Sequence, residues 1–259
     1  MATGVLPILV GNATKFQELL QNSDKEYLAT FKLGITTDTE DITGEILSTR
    51  PVNVNFDDIK NVIKNFVGKI YQTPPMYSAI KINGQKLYEL ARKGLTVKRD
   101  ARPVNINFIN LLDFNKENHL LKISVSCSKG TYIRTLVKDI GEALGCGATL
   151  TELKRTLACS FSLSECMSIE EVEKLSNDNS LFEKVIPISK ALKKYKEVFV
   201  STAQATRFKN GGALDINRIN LKNFFDKEIF KVFSGEELLG LGIINLNKNQ
   251  LCIFKLITI

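Results

Sequence analysis

The stretch "CSKGTYIRTLVKDIGEALG" (127–145) changes its hydrophobic period in the middle, and that change decides the class of fold. The residues leading into it, "HLLKISVSC" (119–127), read as a strand. Beyond Gly130-Thr131, Ile133, Leu136, Val137, Ile140 and Leu144 recur at helical spacing, and Gly145 supplies the stop. A strand that turns directly into an amphipathic helix holds Tyr132 and Arg134 near a helix N-terminus, where unpaired N–H groups favour anions. An aromatic face beside a guanidinium suits a base ring next to a phosphate or carboxylate. The same residue types also suit a tyrosine packed in the core and an arginine in a surface ion pair, and residue types alone leave both readings open.

Working outward, "ARPVNINFINLLDF" (101–114) precedes that strand and pairs with it through a turn around Asn115–Asn118. "KEYLATFKLGI" (25–35) alternates Tyr27, Ala29, Phe31 and Leu33 against Leu28, Thr30 and Lys32, as a strand does. Residues 5–10 read as a further strand, 12–22 as a short helix, and 45–49 as a short strand after a polar loop. "FDDIKNVIKNFVG" (56–68) reads as a helix with Asp57 and Asp58 at its dipole-positive start and Gly68 at its end. Pro74-Pro75 forbid helix, the chain is extended after them, and "QKLYELARKG" (85–94) is a helix closed by Gly94. "SIEE" (168–171) is a capping box. After about residue 195 short strands alternate with Gly-rich turns. Elements interleave without a βαβ rhythm, so the expectation is an α+β fold: a mainly antiparallel mixed sheet flanked by helices, with a small C-terminal β domain. The expected domains are 1–195 and 196–259.

Composition narrows the chemistry. Lys and Arg number 35 against 28 Asp and Glu, a net charge of +7 that suits a polyanionic partner. No apolar run approaches the length of a membrane span, and the N-terminus lacks the basic start of a secretory signal. The five cysteines lie at 127, 146, 159, 166 and 252, without Cys-x-x-Cys spacing and with His119 as the sole histidine. That pattern predicts reduced cysteines in a cytoplasm and no metal site. A histidine-based triad is excluded for want of a nucleophile motif near His119, and "GCGATL" (145–150) follows a helix, unlike a phosphate loop.

Two other segments attract attention. "TTDTEDITGE" (36–45) gathers Asp38, Glu40, Asp41 and Glu45, but its spacing fits no EF-hand. Asx-turn chemistry in a solvated loop is the expectation. "YSAIKINGQKLYELARKG" (77–94) interleaves Lys81, Lys86, Arg92 and Lys93 with Tyr77 and Tyr88, which suits either a nucleic-acid backbone or a solvated face.

Taken in order, "ATGVLPILVGNATKF" (2–16), "DKEYLATFKLGITTDTEDITGE" (24–45), "QTPPMYSAIKINGQKLYELARKG" (72–94), "CSKGTYIRTLVKDIGEALGCGATLTELKRT" (127–156) and "SIEEV" (168–172) strongly resemble the bacterial tRNA pseudouridine synthase B family. "RFKNGGALDI" (207–216) and "EELLGLGIINLNKNQL" (236–251) are similar, more weakly, to the small PUA-like domain that ends bacterial members. The resemblance implies a pseudouridine synthase fold and an isomerase that converts uridine to pseudouridine in the T-loop (position 55) of tRNA. It implies base flipping, an Asp nucleophile, and neither metal nor organic cofactor. The partner would be the tRNA T-stem-loop, bound by a cytoplasmic monomer with no membrane association. Tyr27 matches the tyrosine that stacks on the flipped base and is implicated in removing the C5 proton. Tyr132 matches a substrate-contacting tyrosine, and Leu153 an apolar residue lining the base pocket. Arg134 matches the arginine that pairs with the catalytic Asp and keeps it ionised.

The departure lies at the front. Family members carry "Leu-Asp-Pro-x-Ala-Thr-Gly"; Ala2-Thr3-Gly4 match its end, Met1 falls at x, and the nucleophilic Asp falls two residues before Met1. The fold is thus expected to be N-terminally truncated, and neither Asp38 nor Asp41 matches the missing motif. One expectation is a longer reading frame in which Met1 is internal. The alternative is a non-catalytic tRNA-binding or RNA-folding protein derived from the family. Loss of the preceding strand would leave an unpaired sheet edge, which favours the first.

Overall fold

The computed structural model describes residues 2–257, which divide into two compact units. The first comprises Met1–Pro7 and Asn22–Cys166, the second Ile8–Gln21 and Met167–Ile259. In chain order the first twelve elements are β1 (Ala2–Gly4), α1 (Gln17–Gln21), β2 (Lys25–Leu33), β3 (Ile35–Thr37), β4 (Ile46–Thr49), α2 (Phe56–Lys64), β5 (Gly68–Gln72), β6 (Lys81–Ile82), β7 (Gln85–Lys86), α3 (Leu87–Ala91), β8 (Arg102–Asn115) and β9 (Leu120–Cys127). Then come α4 (Ile133–Ala143), β10 (Ala148–Ala158), β11 (Phe161–Ser162) and α5 (Ile169–Asn177).

The first unit is built on a mixed sheet of order β1-β10-β2-β9-β8-β5, with β11 added to β10. Only β1 runs parallel to its neighbour, and the remaining pairs are antiparallel. The alternation in β2 explains how the sheet is covered. Tyr27, Ala29 and Phe31 stand opposite Val125, Ile123 and Leu121 of β9, so these six side chains share one face. The apolar stripe of α4 (Ile133, Leu136, Val137 and Ile140) joins them in a single buried core. Helix α2 adds Ile59 and Ile63 to it, and its start is fixed by a capping box between Asn55 and Asp58.

The second unit carries α1, α5 and the remaining elements. α6 (Ile188–Ala191) precedes β12 (Lys196–Phe199), α7 (Thr202–Lys209), β13 (Leu214–Asp215), β14 (Ile229–Ser234), β15 (Glu237–Asn245) and β16 (Gln250–Leu256). Its sheet has the order β12-β14-β15-β16-β13, with β12 parallel to β14 and the other pairs antiparallel. Phe208, Phe230, Val232 and Leu251 are among its core residues. This is the small C-terminal β assembly the sequence leads one to expect. All five cysteines are free thiols.

Two local expectations need correction, and one strand stands where none was expected. Residues 5–10 form no strand; the strand is Ala2–Gly4, and only Val5 of the following run is buried. Pro7 lacks the N–H a strand ladder needs. Gly68, with φ of 98°, opens β5 instead of closing α2. Most consequentially, β10 occupies the inside of the sheet although its sequence does not alternate. Register shifts at Leu150/Glu152 and Arg155/Leu157 interrupt the two-residue period.

Helix α4 approaches β10 closely because Gly141 has no side chain. A Cβ there would lie 2.2 Å from the Ala148 amide nitrogen and 2.4 Å from the Gly147 carbonyl carbon. Backbone cannot give way cheaply, so Gly141→Ala should destabilise the first unit by about 2–3 kcal/mol despite alanine's better helix propensity. Urea unfolding checks this; an unchanged midpoint would contradict the close packing.

Candidate functional site

The N-terminus of α4 is positioned by a side chain from another strand. Tyr132 is the N-cap residue and makes no side-chain cap. The Gln72 carboxamide at the end of β5, only 2 % exposed, fills both roles: its Oε1 accepts from the Tyr132 N–H at 3.0 Å and its Nε2 donates to the Tyr132 carbonyl at 3.2 Å. Thr131 Oγ1 donates to the Ser128 carbonyl at 3.0 Å and closes the turn. Arg134, one residue into the helix, is thereby aimed at two loops.

Three of its N–H bonds reach them. Nη1 donates to Asp41 Oδ2 at 3.0 Å and to the Thr39 carbonyl at 3.3 Å, while Nη2 donates to the Tyr77 carbonyl at 2.8 Å. The two partners of the ion pair are only 24 % and 22 % exposed. The other Asp41 oxygen accepts from Thr39 Oγ1 (2.9 Å), Thr43 Oγ1 (2.6 Å) and the Thr43 N–H (3.1 Å). Burial alone pushes the Asp41 carboxyl up, but the bonds from Thr43, Thr39 and Arg134 together outweigh it and hold the group below its ordinary range.

The preceding residue grips the same helix. Glu40 adopts φ of 64° and is 8 % exposed; its carboxylate accepts from Thr135 Oγ1 at 2.7 Å and from Lys138 Nζ at 2.9 Å. Bonds from Leu150 N–H to the Glu40 carbonyl and from Ile42 N–H to the Leu150 carbonyl fasten this loop to β10. The result is an open cavity of about 430 Å³ whose walls include Asp38, Asp41, Glu45, Tyr77 and Arg134. Further along α4, burial pushes the Asp139 carboxyl up to about 6; nearby Lys138 opposes the rise, and Glu40 and Glu142 add to it.

Tyr27 and Leu153 lie on the sheet face that α4 covers, half-buried against the same core. Leu153 stands between Ala29 of β2 and Ala2 of β1, and Tyr27 between Val125 of β9 and Arg155 of β10. Burial raises the Tyr27 phenol above its ordinary value. The structure thus joins Tyr132 and Arg134 at one helix start, and Tyr27 and Leu153 to the same core. It also assigns Arg134 a partner that reading the residues in isolation missed. Asp41 does make the expected Asx-type bond to Thr43, but its second oxygen belongs to Arg134, 93 residues away in sequence. No local pattern could have announced that pairing.

The basic segment 77–94 has its own arrangement. Lys81 and Lys86 are directly opposite in the β6–β7 pair, and Lys86 and Arg92 stand 5.3 and 5.4 Å from the Tyr88 ring centre. Among the described residues no group of three or more His, Cys, Asp or Glu is arranged to hold a metal ion, and no helix is long and apolar enough to cross a membrane.

The fold recurs in chains of solved multi-component complexes. A chain in a crystal structure of a Cbf5-Nop10-Gar1 complex superposes with a TM-score of 0.74, 23% identity, and coverage of 99% of this chain and 73% of that one. A chain in an H/ACA RNP bound to a substrate RNA containing 2'-deoxyuridine gives 0.73 at 20% identity, covering 100% of this chain and 73% of that one. Sequence makes the assignment specific. Residues 1–133 match the TruB family pseudouridylate synthase N-terminal domain, and residues 134–193 match the tRNA pseudouridylate synthase B C-terminal domain. The tRNA pseudouridine synthase B of Clostridium tetani is 41% identical over 243 residues, covering 93% of this chain and 82% of the relative. That of Alkaliphilus oremlandii is 42% identical over 252 residues, covering 96% and 82%. The chain belongs to the TruB family of pseudouridylate synthases.

The two shifted carboxylates on this helix–loop interface have opposite linkage to pH. Asp41, held low when folded, stabilises the protein above the ordinary carboxylate value near 3.8, and that contribution is lost as pH falls through its depressed value. Asp139, raised to about 6, is a liability that grows between pH 3.8 and 6 and is absent below. Thermal unfolding should therefore show Asp41→Asn less stable and Asp139→Asn more stable than the parent at pH 7.5, with both differences shrinking towards pH 3. The same sign for both variants would contradict the geometry.

Proposed function

We propose that this protein isomerises uridine to pseudouridine in the T-loop of tRNA, acting as a cytoplasmic monomer with the T-stem-loop as its recognised element. The observation that carries the reading is the Arg134 guanidinium, held in a partly shielded carboxylate pocket at a helix start within a chain of the TruB family. The target nucleotide leaves the folded RNA and its base enters the site. An Asp carboxylate attacks, the C–N glycosidic bond breaks, and the uracil turns. C5 then displaces the carboxylate from the ribose C1′ to form the C–C bond, and as the C5 proton departs N1 takes one up. The reaction as proposed needs neither metal nor organic cofactor.

Tyr27 stacks on the base and takes part in removing the C5 proton, Leu153 lines the base pocket, and Tyr132 contacts the substrate. Arg134 holds the nucleophile and keeps it ionised while sharing its donors with Asp41. The nucleophile is the Asp expected two residues before Met1. Its placement draws support from β1, where Ala2 stands opposite the pocket residue Leu153. The C-terminal sheet, PUA-like in its resemblance, adds RNA contacts, and the basic segment 77–94 follows the phosphate backbone with salt-sensitive affinity.

The genomic frame directly ahead of the Met1 codon should encode Asp-Pro, and a stop codon there would remove the placement. With that frame expressed, T-stem-loop RNA should yield pseudouridine on nucleoside analysis. Arg134→Ala should then cut turnover about 100-fold or more while affinity changes little, because the arginine acts on the reacting carboxylate. Equal losses in both would count against its role. Product from the 259-residue chain alone would overturn the need for the upstream Asp, whereas salt-dependent binding without product from either form would leave a non-catalytic RNA-binding protein.

A further inference from the structure

Arg155 of β10 stands level with a residue of each neighbouring strand, Gly4 of β1 and Tyr27 of β2. Towards β1, its Nε donates to the Val5 carbonyl at 2.6 Å, and its own carbonyl accepts the Val5 N–H at 2.9 Å. Gly4 lies directly opposite it with φ of 101°, and a Cβ there would stand 2.1 Å from the Arg155 carbonyl oxygen. Towards β2, Arg155 is directly opposite Tyr27, so the two side chains stand on one face of adjacent strands. The register shift between Arg155 and Leu157 follows at once, as expected where a bulge re-aims a side chain.

We propose that Arg155 is a positioning residue that locks the Ala2–Gly4 segment and Tyr27 into a single unit, so that the two sides of the base pocket keep one spacing. The proposal rests on reading Tyr27 as the residue that meets the flipped uracil. A guanidinium suits the task because its fork presents Nε–H and the terminal N–H groups in different directions from one rigid plane. Lysine offers a point charge and cannot serve both strands. The same neighbour opposes the rise that burial imposes on the phenol. Burial and then Cys127 on β9 raise the Tyr27 value, while Arg155 is the charged neighbour that lowers it. Lys25, two residues along β2 and opposite Cys127, has its own ammonium lowered chiefly by burial, with Cys159 and Cys127 opposing. It does not substitute for Arg155 at the phenol.

The test needs no RNA. In protein carrying ring-labelled tyrosine, with Tyr27→Phe to assign the signal, the Tyr27 phenol is titrated by NMR in the parent, Arg155→Met and Arg155→Lys. Arg155→Met should move the Tyr27 midpoint up by at least about half a unit, and Arg155→Lys should move it less because the charge remains. Hydrogen exchange at the Val5 amide should quicken about tenfold in both variants, since losing the Nε bond to the Val5 carbonyl loosens the segment whose N–H is bonded to the Arg155 carbonyl. An unmoved Tyr27 midpoint together with unchanged Val5 exchange in a folded Arg155→Met would overturn the proposal. If that variant fails to fold, Arg155→Lys decides alone: exchange at Val5 equal to the parent's would overturn it. Binding of T-stem-loop RNA by the parent is measured separately. A coupled Tyr27 in a protein that ignores this RNA would end the functional reading while leaving the Arg155 lock in place.

Discussion

One cation, Arg134, holds three separate pieces of chain in place. Its guanidinium reaches the carboxylate of Asp41, the backbone of Thr39 and the backbone of Tyr77, so α4, the 36–45 loop and the segment after Pro74-Pro75 meet at one group. A charge so shielded is tolerable only when paired and hydrogen-bonded. The pairing is reciprocal, because Asp41 would be equally costly without Arg134 and the two threonines. Removing either partner leaves the other exposed to the desolvation it has already undergone, which is why such pairs order a structure more than they stabilise it. The neighbouring Glu40 repeats the device one turn along the helix with Thr135 and Lys138, and two adjacent loop residues thereby fix the loop on a single helix.

That arrangement depends in turn on where α4 lies. Gln72 caps its start from β5, and Gly141 lets its last turn touch the backbone before β10. The helix is thus indexed to the sheet at both ends. Because β10 also carries Leu153 and Arg155 beside Tyr27, an error in the seat of α4 would be transmitted to these residues as well. The loop bonds to Leu150 close the same circuit from the other side.

Much of this was legible in the residues, and the exceptions share a cause. The strand-to-helix switch at Gly130-Thr131, the alternation in β2 and the capping box at Ser168 are local signals, and each produced the element it announced. β10 was invisible because its bulges break the two-residue period and its outward positions carry Glu152 and Lys154. The run 5–10 looked like a strand because it is apolar, yet Leu6, Ile8 and Val10 are exposed. Asp41 read as an ordinary turn residue, since half of its bonding is indeed a turn. What sequence spacing cannot convey is a partner 93 residues distant, and the site is made of such partners.

Charge explains how a protein of net charge +7 can keep an acidic pocket and still meet RNA. Asp38, Asp41 and Glu45 outnumber Arg134 in the cavity wall, so a phosphate would be repelled there. A uracil ring is neutral and meets no such penalty. The cations stand instead on the segment that follows Tyr77, where Lys81 faces Lys86 across a two-residue ladder and Arg92 joins Lys86 at the Tyr88 ring. Like charges placed opposite each other weaken a hairpin, and an anion laid along them relieves that repulsion. On the proposed reading the molecule sorts a nucleotide by its parts, with the backbone drawn to the basic segment and only the uncharged base admitted beside Arg134.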